Sequence, residues 1–409
     1  MDTGGALCDS ESLHAEDSVT VVIGRNSFFV EQSNDEVSRF DPILLGLVIL
    51  LLVVGLGMLL SASWFRAEQL YRQPLRFVLR QALWAVAGCG LCAAAALVPL
   101  GLIRRHLKYL VLGVAVLMGM TFLPGVSARY MGASRWIILW GFSFQPSELV
   151  KVLLVIHLAH LLSKREGEFP RDRLYIVPPL VVAVLSSIIV LFQNDYSTAI
   201  FLLILTFLLF FAAGVPTRYF VRFTALIVPL GMIALFSREH RVRRITAFLN
   251  PSYDPAGSGF QVLAARRALA EGGPWGAGIG RGVRKMGGIP EVQSDFIFAV
   301  LGEELGFFGV FLVLLAFLLF SLRGIALARR QEDWFRYLLI YGLTMSITIQ
   351  AMINVAVVAG LLPATGIPLP FFSSGGSSLV VTMIMCGLIM NAATQPASRG
   401  PRLWEGSRV

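Results

Sequence analysis

Charged side chains are scarce in the apolar stretches of this chain, and those that occur there are spaced for chemistry. Glu148 and Lys151 stand three apart after Phe144-Gln-Pro-Ser147, which makes them neighbours on one helix face, able to neutralise each other. Gln193-Asn-Asp195-Tyr-Ser-Thr198 is a tight polar turn in which Asp195 can N-cap the next helix or serve a site. Arg241, Arg243 and Arg244 open a long polar segment, and Gly276-Ala-Gly278-Ile-Gly280 with Arg281, Arg284 and Lys285 comes near its end. Guanidinium groups beside pliant backbone suit a diphosphate, whose oxygens they grip bidentately; headgroup attraction explains the same arginines. With no preceding strand, the glycine spacing is not a dinucleotide signature. Asp295, at the far edge of the segment, can act as a general base or cap a helix with Ser294. Glu303 and Glu304 lie inside the following apolar run, so at least one must face a polar interior. Leu369-Pro-Phe-Phe-Ser-Ser-Gly-Gly-Ser377-Ser378 permits a broken or re-entrant helix lining a cavity, or a hairpin turn with a serine cap.

The elements that must position these residues are membrane spans. Pro42 to Trp64, Gln81 to Ile103, Tyr109 to Ala128, Tyr196 to Thr217, Leu305 to Leu322 and Tyr337 to Ser398 contain no Asp, Glu, Lys or Arg. A hydrocarbon core about 30 Å thick takes roughly 20 apolar residues per helix. The chain is 56% hydrophobic and 14% charged, against about 25% charged in soluble proteins, which excludes a soluble enzyme. The expected fold is an all-α polytopic membrane protein of ten spans, at roughly 42–61, 80–100, 108–125, 146–163, 174–193, 195–213, 219–237, 295–321, 336–361 and 374–394.

An even count puts both termini on one side. Loops after spans two, four, six and eight carry Arg104, Arg105, Lys108, Lys164, Arg165, Arg171, Arg173, Arg218, Arg222, Arg323, Arg329, Arg330 and Arg336, so the positive-inside rule places both termini in the cytoplasm. Residues 238–294 then form a large extracytoplasmic loop between spans seven and eight, read as a folded cap with a helix near Gln261 to Glu271. Residues 1–41, with nine acidic and two basic residues, read as a disordered cytoplasmic tail in which Val19 to Ile23 could dock. They lack a secretory n-region, so the first span serves as an uncleaved anchor; residues 395–409 form a C-terminal tail. The net charge of +9 reflects arginines facing anionic headgroups, not nucleic acid. Cys89-x-x-Cys92 in an apolar helix reads as packing, and the five histidines make no metal box.

Taken together, the motifs closely resemble the shape, elongation, division and sporulation (SEDS) family of peptidoglycan glycosyltransferases. The matching pieces are Gly132-Ala-Ser-Arg135-Trp136-Ile137, Phe144-Gln-Pro-Ser-Glu148-Leu-Val-Lys151 and Phe248-Leu-Asn-Pro251 with Asp254-Pro255 and Gly257-Ser-Gly259-Phe-Gln261. They continue through Gly276 to Gly280, Pro290-Glu291, Asp295-Phe-Ile-Phe298, Gly302-Glu-Glu-Leu-Gly306, Asn354, Leu362-Pro363, Thr365 to Phe371 and Gly375 to Ser378. The resemblance spans about residues 42 to 394 in the family's order and implies ten spans with the large outer loop.

The resemblance implies polymerisation of lipid II into glycan strands on the outer face of the bacterial cytoplasmic membrane. Asp295 matches the family's essential aspartate, the base for the acceptor hydroxyl. The leaving undecaprenyl diphosphate would be stabilised by arginine or by a divalent cation, magnesium or manganese; no metal site is read from the residues themselves. Arg135, Trp136, Arg243, Arg244, Gly278 and Ser377 are expected at the substrate, with Glu148, Lys151, Asp195 and Glu303 in support. The implied partner is a class B penicillin-binding protein supplying transpeptidation, among other division proteins. The Gly-Glu-Glu-Leu-Gly run and the long N-terminal tail point to division at the septum, with the elongation paralogue as the alternative. Three positions depart from the family's pattern: Asn194 stands where proline is usual, Gln293-Ser294 where His-Thr is usual, and Ser374 where tyrosine is usual. A flippase for the lipid-linked precursor should show repeated halves and midplane charges, neither of which is evident. A scaffold for a partner synthase would not depend on Asp295.

Overall fold

A computed structural model describes residues 40–123, 127–130, 133–139, 142–164, 176–251, 258–286 and 292–394. The acidic tail, the C-terminal tail and the Asp254-Pro255 and Pro290-Glu291 motifs lie outside the described residues. The elements are α1 (Pro42–Tyr71), α2 (Arg76–Leu97), α3 (Leu100–Met120), β1 (Ser127–Tyr130), β2 (Ala133–Leu139), β3 (Phe142–Phe144), α4 (Pro146–Ser163), α5 (Val177–Phe192) and α6 (Tyr196–Ala212). They continue with α7 (Thr217–Phe236), α8 (Glu239–Leu249), α9 (Ser258–Glu271), α10 (Ile297–Arg329), α11 (Trp334–Val358) and α12 (Gly376–Ala393). Seven helices, α1, α2, α4, α7, α10, α11 and α12, are long and apolar enough to cross a bilayer. The apolar α5 and α6 are shorter, at 16 and 17 residues, and α3 carries Arg104, Arg105 and Lys108 in its first half. The chain is thus a multi-pass helical membrane protein; the expected count of ten requires α3, α5 and α6 to cross as well.

The helix ends follow from local chemistry. Asp41 accepts from the Leu44 N–H at 2.8 Å and Pro42 occupies the first turn of α1, where a missing N–H costs nothing. The same carboxylate pairs with Arg323 near the end of α10, tying together the ends of α1 and α10 that lie away from Asp295. At about 1.5 Å per residue, α10 extends roughly 50 Å, more than the hydrocarbon thickness. Asp41 and Asp295 therefore lie near opposite ends of α10.

Helices α4, α11 and α12 are largely buried and form the centre, while α7, interrupted by Pro229, buries only Leu235. Helix α10 is broken at Gly306, whose φ of 65° and ψ of −165° leave the helical region. The break frees backbone groups that hydrocarbon cannot satisfy, and the loop after α9 satisfies them. Ala277 N–H donates to Glu303 O at 2.9 Å and Gly278 N–H to Glu304 O at 3.0 Å, while Phe307 N–H donates to Gly273 O at 2.8 Å. The adjoining side chains reinforce this. Lys285 pairs with Glu304 at 2.6 Å, both fully buried, and Ser61 of α1 bonds to the same carboxylate.

Two features differ from the sequence-based expectation of an all-α fold with an irregular loop. Strands β1, β2 and β3 form a three-stranded antiparallel sheet in that order. These strands are only three to seven residues long and fall between the expected spans at 108–125 and 146–163, too short to carry a clear alternating pattern. The loop between α7 and α10 holds α8 as well as the expected α9.

Replacing Lys285 with alanine strands a buried carboxylate at Glu304. The apparent Tm of the detergent-purified protein should fall, by an amount matching about 3 kcal/mol, and pairing Lys285→Met with Glu304→Leu should recover most of it. An unchanged Tm for Lys285→Ala would show that the pair does not hold the loop.

Candidate active site

Asp295 sits in the turn before α10 without capping it: the N-cap position is Phe296, and no side chain bonds to the helix start. Its backbone is pinned instead. The buried amide of Asn354 on α11 donates to both Asp295 O and Ile367 O at 2.9 Å. Ser373 donates to Ser294 O at 2.6 Å, and Ser374 N–H to Gln293 O at 2.8 Å. The part of the non-helical segment from Ile367 to Ser373 therefore packs against the Asp295 turn, as a broken span lining a cavity requires. The serine-capped hairpin does not occur, because the cap of α12 is Gly375 with no side-chain bond. Asp295 Oδ2 would lie 3.4 Å from a Cβ placed on Gly366, whose φ is +76°, so the carboxylate rests against bare backbone.

Gly366 lies between two cavities. The smaller, about 20 Å³, is lined by Gln145, Glu148, Lys151, Asp195, Gln350 and Gly366, enough room for about one water. Lys151 pairs with Glu148 at 2.8 Å and donates to Gln350 Oε1 at 2.6 Å, all three buried. Neutralised in this way, the pair fixes α4 against α11.

The larger cavity, about 270 Å³, has a basic end formed by Arg135, Arg241 and Arg244 and an apolar wall that includes Ile200, Ile204, Leu235 and Ile353. Arg135 on β2 donates to Asn194 O at 2.5 Å and approaches Asp195 at 3.7 Å. Asp195 also N-caps α6 through Thr198 N–H at 3.2 Å, so capping and ion pairing coexist. Arg241 on α8 donates to Ala234 O at 2.6 Å and lies over the Tyr196 ring. Burial lowers the guanidinium of Arg244 from its ordinary value, and Arg135 adds to this; Asp295 and then Asp195 act in the opposite direction. Arginine nonetheless stays cationic. Both aspartates thus act on the same basic cluster.

The other expected site residues are placed elsewhere. Arg243 points outward and pairs with the exposed Glu239 at 2.7 Å. Trp136 lies on the opposite sheet face from Arg135, as strand alternation dictates. Gly278 packs on the broken part of α10. Ser377 accepts from Gln145 N–H at 3.1 Å and joins α12 to β3. Glu303 accepts from Val283 and Arg284 N–H groups at 2.6 and 3.0 Å, which anchors the loop rather than the cavity. Arg241 and Gln350 were not among the expected site residues. The three-residue spacing of Arg241 and Arg244 on one helix face was the available signal for Arg241.

Comparison with known proteins agrees with this architecture. A model of the FtsW/RodA/SpoVE family, described as "Cell cycle protein", matches residues 42–398. "Probable peptidoglycan glycosyltransferase FtsW" of Geobacter sulfurreducens is 36% identical over 88% of this chain and 96% of its own length. "Stage V sporulation protein E" of Bacillus subtilis is 37% identical over 86% of this chain and 96% of its own. A solved chain from a peptidoglycan synthase complex, described for its coordination of polymerization and crosslinking, superposes with a TM-score of 0.72 at 25% identity, covering 87% of this chain and 97% of that one. The rod shape determining protein RodA of Thermus thermophilus gives a TM-score of 0.63 at 25% identity, over 87% and 96%. The chain belongs to the FtsW/RodA/SpoVE family.

The split between adjacent arginines can be tested by titrating reconstituted protein with a fluorescent polyprenyl diphosphate. Arg244→Ala should weaken binding about tenfold or more, whereas Arg243→Ala, at a solvent-exposed side chain paired with Glu239, should change it less than about twofold. Equal losses would contradict the placement.

Proposed function

We propose that the protein is a peptidoglycan glycosyltransferase that polymerises lipid II at the outer face of the bacterial cytoplasmic membrane. The observation that carries this reading is one cavity with a cationic end, an apolar wall and a carboxylate beside it. Among the described residues, the buried Nε–H groups of Arg135 and Arg241 have no acceptor, leaving two donors that a diphosphate can satisfy. The apolar wall of α6 and α11 suits the start of a polyprenyl tail, and the poorly packed α7 borders lipid.

Asp295 takes the proton from the acceptor sugar hydroxyl as that oxygen bonds to the donor's anomeric carbon. The bond from that carbon to the diphosphate oxygen breaks, and its electron pair leaves with undecaprenyl diphosphate. Arg135, Arg241 and Arg244 stabilise the charge as it grows, in a site screened from water. Among the described residues no three His, Cys, Asp or Glu side chains gather as a metal site. A magnesium or manganese ion here would take its ligands from Asp195, Asp295 and the diphosphate, a mixture usual for magnesium.

The same reading places both termini in the cytoplasm, since basic residues crowd the loops on that side and Asp41 lies near the opposite end of α10 from Asp295. The partner is a class B penicillin-binding protein, supported by the synthase complex to which the fold is similar, and the setting is septal wall synthesis with other division proteins, supported by relatives named FtsW. A flippase is disfavoured by polar groups gathered towards one end of the bundle.

Purified Asp295→Asn, with and without the partner transpeptidase, should keep its abundance and melting behaviour but lose polymerisation of labelled lipid II by about 10²-fold or more. Normal glycan formation by this variant would refute the assignment of the base.

A further inference from the structure

We propose that Asn194 is a positioning residue that sets the orientation of two arginines at the diphosphate subsite, an inference resting on the polymerase reading above. Asn194 has φ of +62°, a left-handed conformation that asparagine tolerates better than most residues. Its N–H donates to Leu191 O at 3.0 Å. In this conformation its carbonyl receives Arg135 Nη2 at 2.5 Å, while its side-chain oxygen receives Arg241 Nη2 at 3.4 Å. One residue thus contacts guanidinium groups arriving from β2 and from α8, two elements far apart in sequence.

What each guanidinium does next depends on that contact. Arg135 is further held by Asp195 and Arg241 by Ala234 O and the Tyr196 ring. With those terminal nitrogens engaged, the Nε–H of each is buried without an acceptor among the described residues. Fixing the ends of a guanidinium fixes the direction of its remaining donor, and donors held in place before the ligand arrives bind it at lower entropic cost. Proline at this position would have φ near −65° and no N–H, so it could supply neither the left-handed turn nor the amide oxygen. Asparagine is therefore suited to both contacts in this chain.

The informative substitution is Asn194→Gly, which keeps the left-handed backbone and its carbonyl but removes the oxygen facing Arg241. In full-length protein in nanodiscs, titrated with fluorescent undecaprenyl diphosphate, Kd should rise about three- to tenfold, the lower range reflecting a long hydrogen bond. KM for lipid II should rise in step, with kcat falling less than about threefold. A mutant cycle separates positioning from a structural role. Asn194→Gly should add nothing to Arg241→Ala and its full effect to Arg135→Ala, with melting temperatures unchanged. If Arg135→Ala and Arg241→Ala weaken binding but Asn194→Gly does not, or if its effect persists in Arg241→Ala, the positioning role is overturned while the diphosphate site stands. If neither arginine variant loses affinity, the diphosphate reading itself fails.

Discussion

Every backbone N–H and C=O inside a bilayer must find a partner within the protein, and this fold breaks its helices only where such partners exist. Helix α10 breaks at Gly306 because the loop at Gly273 to Gly278 supplies the missing donors and acceptors. The chain between α11 and α12 runs without helix because Asn354, Ser373 and Ser374 bind carbonyls on both sides of it. Asp295 lies against the second of these irregular regions. Its backbone position is set by the bonds that Asn354, Ser373 and Ser374 make to Asp295 and its neighbours.

Buried charge sorts by the same logic. A buried ion is tolerable when paired and hydrogen-bonded, and Lys151 with Glu148 and Lys285 with Glu304 meet that condition. These pairs join α4 to α11 and the loop after α9 to α1 and α10. The arginines of the large cavity are different. Each spends its terminal nitrogens on carbonyls or on Asp195, and those of Arg135 and Arg241 retain a donor. The protein thus neutralises the charges that hold it together and leaves cationic capacity at one end of one cavity.

Much of this was legible in the sequence because hydrocarbon is an unforgiving solvent. Long uncharged runs mark spans, and Glu148, Lys151, Asp195, Asp295 and Glu304 stand out against them. Role was harder to read than presence. Glu303 and Glu304 are adjacent and equally conspicuous, yet they face different partners, Glu303 the backbone of Val283 and Arg284 and Glu304 the side chains of Lys285 and Ser61. Arg243 and Arg244 differ only by the turn of α8, which faces one to solvent and the other to the cavity. The spacing of Arg241 and Arg244 puts them on one face of α8, but which face meets the cavity depends on packing against other elements. The short β-strands were hidden for a related reason: Trp136-Ile-Ile-Leu139 is too short to carry a clear alternating pattern, and only pairing with β1 and β3 distinguishes it.

The arrangement also matches the physical form of its proposed substrate. A polyprenyl diphosphate is apolar along its tail and strongly anionic at its head, so its site must be continuous with lipid at one end and cationic at the other. The wall of α6, α7 and α11 offers the first, and Arg135, Arg241 and Arg244 the second. The Asp295 carboxylate rests beside Gly366, whose neighbours Thr365 and Ile367 line this cavity. Its charge acts on Arg244, so the carboxylate and the basic cluster share one electrostatic environment. In the proposed reaction the base and the cations that would steady the departing diphosphate therefore stand within one electrostatic field, which links the two halves of the chemistry.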